Sequence, residues 1–220
     1  MNKTFFNIRN IIFDLDGTIV DSKKDIAAAQ LKVLQDYGIN NYSEEDLYPH
    51  IGKSLHETFT TLLPPKLHNG IDEASKKYTD YYVPNSLNTT KLFPEIFEML
   101  KILKQNEFRM AIATTKKGAG AVRVLNYFQI SEYFVQIQGS DNIPYKPDPT
   151  IIELILTEQN WKKEETIMVG DTDKDIYAGK NAGIRTCAVT YGALKIEELI
   201  KYSPDIIINS PLEIISYLIP

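Results

Sequence analysis

The stretch of sequence that decides the fold reads Ile11-Ile12-Phe13-Asp14-Leu15-Asp16-Gly17-Thr18. A short apolar run that stops at polar turn residues is typical of a strand buried in a parallel sheet. Two carboxylates, those of Asp14 and Asp16, follow the run directly, and Gly17 permits a tight turn with close backbone approach. We therefore expect a buried strand that delivers acidic side chains to one edge of a sheet.

Further short apolar runs alternate with helical patterns along the chain. The runs cover residues 8–14, 109–114, 133–138, 166–170, 185–190 and 205–208. Helical patterns begin at Pro94, at Pro149 and near Lys174, and the last of them stops at Gly183. This alternation predicts βαβ units, and therefore an α/β fold with a doubly wound, Rossmann-like parallel sheet.

One segment breaks the alternation, because residues 21–90 show helical patterns and no convincing strand. Ser22 and Ser43, each followed three residues later by an aspartate, are expected to cap helices. Helices are expected over about residues 22–37, 43–48, 54–63 and 71–83. The sequence therefore predicts a Rossmann-like core over residues 1–20 and 91–220, with an all-helical insertion between them.

Composition limits the class of protein. The 220 residues carry a net charge of −5, and no Lys/Arg cluster forms the basic face that nucleic-acid binding requires. No apolar stretch approaches the roughly 18 residues of a membrane span, and residues 1–10 lack the apolar core of a signal peptide. The single cysteine, Cys187, stands in an apolar run and is expected to be buried. We expect a cytoplasmic protein, monomeric or homodimeric, whose partners include neither nucleic acid nor a membrane.

Three of the predicted strands end in polar residues of types that take part in catalysis. Asp14, Thr114 and Asp171 each stand directly after an apolar run. Because the carboxyl ends of parallel strands lie along one edge of a sheet, these side chains are expected to converge. Lys146 lies in a loop that follows another predicted strand, at the same edge.

The carboxylates at this edge predict a metal site. If Asp14, Asp16, Asp171 and Asp175 converge, as many as four negative charges share one place, which is unfavourable without a cation or protonation. All of these donors are oxygen atoms, and oxygen donors without His or Cys favour Mg²⁺.

Taken in order, these residues resemble the four motifs of the haloacid dehalogenase superfamily. The matching positions are Asp14-Leu15-Asp16-Gly17-Thr18, Thr114, Lys146, and Gly170-Asp171 with Asp175. The resemblance covers nearly the whole chain, because the inserted helices are similar to the small helical cap of that superfamily. Its phosphoglycolate phosphatase and pyrophosphatase branch is similar to this chain at Lys146-Pro147-Asp148-Pro149, at residues 179–183 and at Ile51-Gly52-Lys53-Ser54-Leu55.

The resemblance implies a Mg²⁺-dependent phosphatase that acts on a small phosphorylated metabolite through an aspartyl-phosphate. Asp14 would be the nucleophile, and Asp16 would protonate the leaving oxygen and then deprotonate the attacking water. Thr114 and Lys146 would bind the phosphate oxygens. The implied ligands of Mg²⁺ are Asp14, the backbone carbonyl of Asp16, Asp171 and Asp175.

Two further residues are expected to bind substrate. Thr115 stands where relatives often carry Asn or Ser, and its backbone N–H can still reach a phosphate oxygen. Lys53 follows Gly52 in a loop that enters a helix, where backbone N–H groups favour anions. Lys53 would therefore suit a second negative group on the substrate, such as the carboxylate of phosphoglycolate.

Other functions on the same fold are weighed by the residues present. Dehalogenation requires neither a metal nor protonation of the leaving group, so Asp16 argues against it. A phosphosugar mutase or an inorganic pyrophosphatase would share every core motif, and both stay open. A non-catalytic binding or regulatory protein would be expected to have lost at least one core residue, yet Asp14, Asp16, Lys146 and Asp171 are all present.

Overall fold

The computed structural model describes residues 5–220, so the first four residues of the predicted core segment 1–20 lie outside the described part. The strands are β1 (Asn10–Phe13), β2 (Val20–Asp21), β3 (Lys91–Leu92), β4 (Arg109–Ala113), β5 (Phe134–Gln138), β6 (Thr166–Gly170), β7 (Arg185–Val189) and β8 (Ile206–Ile208). The α-helices are α1 (Lys23–Asp36), α2 (Glu44–Leu47), α3 (Leu55–Leu62), α4 (Ile71–Asn85), α5 (Ile96–Gln105), α6 (Gly118–Tyr127), α7 (Thr150–Gln159), α8 (Asp173–Ala182), α9 (Ile196–Leu199) and α10 (Glu213–Leu218).

The chain folds into two compact units. The sheet unit comprises residues 5–20 and Leu92–Pro220, and the helical unit comprises Asp21–Lys91. The two-residue strands β2 and β3 pair with each other, so the insertion begins and ends in short strands that the sequence did not predict. Such short strands leave no period-2 pattern long enough to detect.

The sheet unit is built on a parallel sheet with the strand order β5-β4-β1-β6-β7-β8. The order runs outward from β1 in both directions, which confirms the predicted α/β, Rossmann-like fold class. The register pairs Phe13 of β1 with Ile112 of β4 on one side and with Val169 of β6 on the other. The carboxyl ends of these three central strands are therefore level with one another.

After their first residues, Asn10, Arg109 and Thr166, the central strands are apolar because the sheet is covered by helices. Ile12, Ala111 and Met168, one from each central strand, pack against Ile155 of α7 and Ala178 of α8. All five side chains are fully buried. Burying each large aliphatic side chain contributes about 1.5–3 kcal/mol relative to leaving it in water, so this packing fixes where the strand ends lie.

Several elements begin or end a little inside their predicted limits. β1 begins at Asn10 rather than at residue 8, and Asp14 and Thr114 lie just past their strands, where the chain turns away from the ladder. α5 begins at Ile96 rather than at Pro94, because Glu95 takes a left-handed conformation with φ of 67°.

The helical unit has a hydrophobic core of its own. Val33 and Leu34 of α1, Phe59 of α3, and Tyr78 and Tyr82 of α4 lie in it, and the two tyrosine rings stack with centroids 5.3 Å apart. The repeat of apolar residues at helical spacing therefore serves a core between helices, as expected for an all-helical insertion.

The helix starts of this unit only partly follow the sequence prediction. Ser43 caps α2 in a reciprocal capping box with Asp46, as expected. The side chain of Ser22 makes no capping bond to α1. The Asp25 carboxylate accepts hydrogen bonds from the N–H and the hydroxyl of Thr89 and Thr90, at 2.7–3.1 Å. The Asp25 carboxylate thus accepts five bonds from the far end of the unit, and the predicted cap by Ser22 is wrong.

Two expectations from composition can be checked directly. Cys187 is fully buried in β7, and burial raises the pKa of its thiol well above the usual value. Among residues 5–220, the helices are all too short or too polar to cross a membrane.

Candidate active site

The predicted core residues meet at the carboxyl edge of the sheet. Asp14 follows β1, Thr114 follows β4 and Asp171 follows β6, while Lys146 comes from the loop after β5 and Asp175 from the first turn of α8. All five are buried, with at most 7% of any residue exposed. Carboxylate oxygens of Asp14, Asp171 and Asp175 lie within 4.8 Å of one another. The parallel topology thus brings together side chains that lie far apart in the sequence.

Lys146 places a positive charge inside this acidic cluster. Its Nζ atom donates to Oδ1 of Asp14 at 2.7 Å, to Oδ1 of Asp175 at 2.6 Å and to the carbonyl oxygen of Ala113 at 2.9 Å. Burial alone would lower the pKa of Lys146, but the two carboxylates outweigh it and raise that pKa above its usual value. The ammonium group is therefore a fixed cation between β1, β4 and α8.

One ammonium group does not neutralise three buried carboxylates. Burial raises the pKa of Asp14 to about 7; Lys146 opposes this rise and Asp175 adds to it. Burial also raises the pKa of Asp171 well above its usual range, and the charges of Asp175 and Asp14 add to the effect. Carboxylates in this state are short of positive charge, and a hard divalent cation with oxygen ligands would supply it. The donor set therefore fits Mg²⁺.

The Asp171 carboxylate is held by one backbone group and one hydroxyl group from two neighbouring loops. Its Oδ2 atom accepts from the N–H of Ala193 at 2.7 Å, and its Oδ1 atom accepts from the hydroxyl of Thr18 at 3.4 Å. Gly17 has φ of +92°, and a Cβ atom there would lie only 2.1 Å from Oδ2 of Asp171. Glycine is required at this position because the loop after β1 runs directly against the carboxylate.

Asp175 joins the start of α8 to Lys146. Its Oδ2 atom accepts from the N–H of Thr172 at 3.1 Å and from its hydroxyl at 2.6 Å, which caps the helix, while Oδ1 accepts from Lys146. A Cβ atom on Gly170 would lie 2.3 Å from Cγ of Asp175, so only glycine allows this approach. The structure therefore shows Asp175 orienting Lys146, and its contact with a metal stays a prediction.

Asp16 lies beside a lysine that the sequence analysis did not identify. Oδ2 of Asp16 is 3.1 Å from Nζ of Lys116. Lys116 stands two residues after Thr114, at the same sheet edge, so its position in the sequence could have indicated that it belongs to the site. The N–H of Ala193 is a backbone group with no signal in the sequence.

The two threonines after β4 are fixed by their loop. The hydroxyl oxygen of Thr114 accepts from the N–H of Lys116 at 3.2 Å, and a hydroxyl that accepts one bond retains a hydrogen to donate to phosphate. Thr115 is half-buried, and its carbonyl oxygen accepts from the hydroxyl of Ser140. The substrate contact of Thr115 stays a prediction.

Lys53 belongs to the helical unit. It lies in the turn between a 3-10 helix, Tyr48–His50, and α3, directly after Gly52 with φ of 84°. Its own N–H donates to the carbonyl oxygen of His50 at 3.3 Å, so that N–H is used inside the turn. Any anion binding at this position would depend mainly on the ammonium group, and it stays a prediction.

Comparison with known proteins gives the family. Residues 11–189 match the family described as haloacid dehalogenase-like hydrolase. The chain is similar to phosphoglycolate phosphatase of Aquifex aeolicus, with 34% identity over 94% of this chain and 95% of the relative. It is also similar to pyrophosphatase PpaX of Halalkalibacterium halodurans, with 32% identity over 92% and 93%. A haloacid dehalogenase-like hydrolase structure from Streptococcus pneumoniae has a TM-score of 0.89 and 31% identity, covering 96% of this chain and 98% of that one. The chain is therefore an enzyme that belongs to the haloacid dehalogenase-like hydrolases.

Proposed function

We propose that this enzyme is a Mg²⁺-dependent phosphatase that removes phosphate from a small metabolite through an aspartyl-phosphate on Asp14. The observation that carries the proposal is the buried convergence of Asp14, Lys146, Asp171 and Asp175 at one sheet edge. Phosphoryl transfer requires positioning and charge neutralisation more than covalent chemistry from other groups. A carboxylate, a fixed ammonium group and acidic donors for a cation meet these requirements.

In the first half of the reaction, a carboxylate oxygen of Asp14 bonds to phosphorus and the bond to the leaving oxygen breaks. The leaving oxygen takes that electron pair, and Asp16 donates a proton to it. Lys146 and Thr114 bind the phosphate oxygens as negative charge shifts among them. Thr115 would add its backbone N–H to the same phosphate.

The residues that would hold Mg²⁺ are Asp14, the backbone carbonyl of Asp16, Asp171 and, in support, Asp175. When bound, the ion supplies positive charge that neutralises the phosphate oxygens. Asp171 is suited to this role because Ala193 and Thr18 already hold its two oxygens in place.

For the substrate, a phosphoglycolate-type phosphomonoester is favoured. A relative that is 34% identical over most of both chains is named phosphoglycolate phosphatase. Inorganic pyrophosphate is the second candidate, because another relative, at 32% identity, is named pyrophosphatase. We assign the chemical steps to the core, residues 1–20 and 91–220. We assign the choice of leaving group to the helical cap, residues 21–90.

Phosphate release from a panel of small phosphorylated metabolites, including phosphoglycolate and pyrophosphate, tests the proposal. Release should stop when a chelator removes divalent cations and return when Mg²⁺ is added, because the buried carboxylates lack positive charge without it. Full turnover in a chelated preparation would contradict the metal dependence.

The nucleophile is tested by Asp14→Asn. This change keeps the shape of the side chain and removes the attacking charge, so phosphate release should be nearly abolished while the folded state remains. Asp72→Asn, on the exposed start of α4, is the matched control and should keep full activity. Peptide mapping after brief exposure of the unchanged protein to substrate should find phosphate on Asp14, and phosphate on a different residue would exclude Asp14.

A further inference from the structure

Lys116, a lysine with a largely buried side chain, lies beside Asp16, the proposed acid–base residue. Nζ of Lys116 lies 3.1 Å from Oδ2 of Asp16, and each side chain is only 10% exposed. Charges so far removed from water are screened less than surface charges, so this pair is stronger and better ordered than an exposed ion pair.

The rest of Lys116 is held in place as well. Its N–H donates to the hydroxyl oxygen of Thr114 at 3.2 Å, and its carbonyl oxygen accepts from the N–H of Ser140 at 3.2 Å. Its stem passes over Gly120 in the first turn of α6, where a Cβ atom would lie 3.2 Å from Cγ of Lys116. A side chain that is fixed at its base and along its stem loses less freedom when its end makes a contact. The loop therefore presents the ammonium group to Asp16 in one place.

We propose that Lys116 is a positioning residue that holds the Asp16 carboxylate for hydrolysis of the aspartyl-phosphate. The inference rests on the proposed function. In this step the water oxygen bonds to phosphorus, and the bond between phosphorus and the Asp14 oxygen breaks, returning its electron pair to Asp14. One proton of the water passes to Asp16, and inorganic phosphate leaves. The Asp16 carboxylate must be aimed at the water, and a fixed ammonium group 3.1 Å away holds that carboxylate in one place.

An aryl phosphate separates this step from the one before it. An activated aryl oxygen leaves without needing a proton, so Asp16 contributes little to the first half of the reaction on such a substrate. Loss of Lys116 should then leave the first release of aryl alcohol unchanged and slow the later turnovers. A lysine that bound the reacting phosphate, or that only supported the loop, would affect both phases.

The experiment follows aryl alcohol release by stopped flow. Lys116→Met removes the charge and keeps the stem, and we expect an unchanged first-turnover burst followed by a steady state about 10²-fold slower. Lys116→Arg retains the charge and should restore most of the steady-state rate. Lys117→Met, at the exposed neighbouring position, is the matched control and should behave like the unchanged protein.

A double-mutant cycle shows whether Lys116 acts through Asp16. The double variant Asp16→Asn/Lys116→Met should be no slower in steady state than Asp16→Asn alone, because the lysine has lost the group that it positions. Losses that multiply would overturn the proposal. An unchanged steady state in Lys116→Met, or equal slowing of both phases, would overturn it too.

The variants also allow a failure of this proposal to be distinguished from a failure of the proposed function. Thermal unfolding is recorded for each, and Lys116→Gln provides the same readout if Lys116→Met does not fold. If the unchanged protein releases no phosphate, or if Asp14→Asn stays active, the proposed function has failed. Both of those tests can succeed while the Lys116 variants fail to slow the steady state selectively. In that case only the proposed role of Lys116 is wrong, and the proposed function stands.

Discussion

The two aspartates that follow β1 have different surroundings although they are only two residues apart. Asp14 is buried against Lys146, and burial raises its pKa to about 7. Asp16 pairs with Lys116 instead. The two carboxylates therefore contact different lysines, and the proposed function assigns attack on phosphorus to Asp14 and proton transfer to Asp16.

Asp16→Asn should affect substrates according to their leaving group. The change removes the exchangeable proton, so the first chemical step on an alkyl phosphate should slow by about 10²–10⁴-fold. The same step on an activated aryl phosphate should slow much less, because that leaving group departs unprotonated. Single-turnover rates on the two substrates measure the difference. Equal losses would indicate that Asp16 only supports the structure or the metal.

At the scale of elements, the start of α1 is stabilised by a contact from the other end of the helical unit. Asp25 accepts hydrogen bonds from the N–H and hydroxyl groups of Thr89 and Thr90, just before β3. Burial would raise the pKa of Asp25, but these hydrogen bonds together outweigh it and lower that pKa below its usual value. The carboxylate thus ties the entry of the insertion to its exit.

Asp25→Asn should therefore destabilise the protein by about 1–3 kcal/mol at neutral pH, since charge-assisted bonds are lost and an amide N–H₂ meets donors. The folded pKa lies below the unfolded value of about 3.9, so this contribution is fully present above that pH. It is lost as the pH falls from there through the folded pKa.

Denaturant unfolding at neutral pH and near the acid limit of folding measures the stability gap, which is the difference in free energy of unfolding between Asp25→Asn and the unchanged protein. The gap should narrow only in the acid range. Asp80→Asn, on the exposed face of α4, is the control and should show no such gap. A gap that is absent at neutral pH, or that widens in acid, would show that the Asp25 contact does not stabilise the fold in this way.

At the scale of the whole molecule, the chain folds into a sheet unit and an inserted helical unit. The sheet unit contains the acidic cluster and Lys146, which are the groups expected to act on any phosphate ester. The helical unit contains Lys53, in the turn after Gly52 that leads into α3. We expect the choice of leaving group to depend on the helical unit.

Lys53→Ala tests this division. Loss of the positive charge should raise KM for a substrate with an anionic leaving group, such as phosphoglycolate, with little effect on a neutral aryl phosphate. The ratio of kcat/KM between the two substrates is the measurement. Lys66→Ala, an exposed lysine of the same unit, is the control. A ratio that does not change in Lys53→Ala would exclude Lys53 as the selector.

Much of the sheet and part of the site could be predicted from sequence because their signals are local. The apolar run before Asp14 and those before Thr114 and Asp171 indicate buried strands, and parallel pairing places their ends at one edge. The capping box of Ser43 and Asp46 was also predicted, since its donors and acceptors lie within one helical turn.

The sequence by itself thus determined the α/β class, the helical insertion and the identity of the polar residues at the strand ends. Only the tertiary structure decided that Lys146 lies between Asp14 and Asp175 and that Lys116 faces Asp16. It also decided that Asp25 accepts bonds from the far end of its unit and that Ser22 does not cap α1. The two ion pairs of Lys146, for example, join residues that are 132 and 29 positions apart in the sequence. Their distances depend on strand register and helix packing, which no local pattern of residues contains.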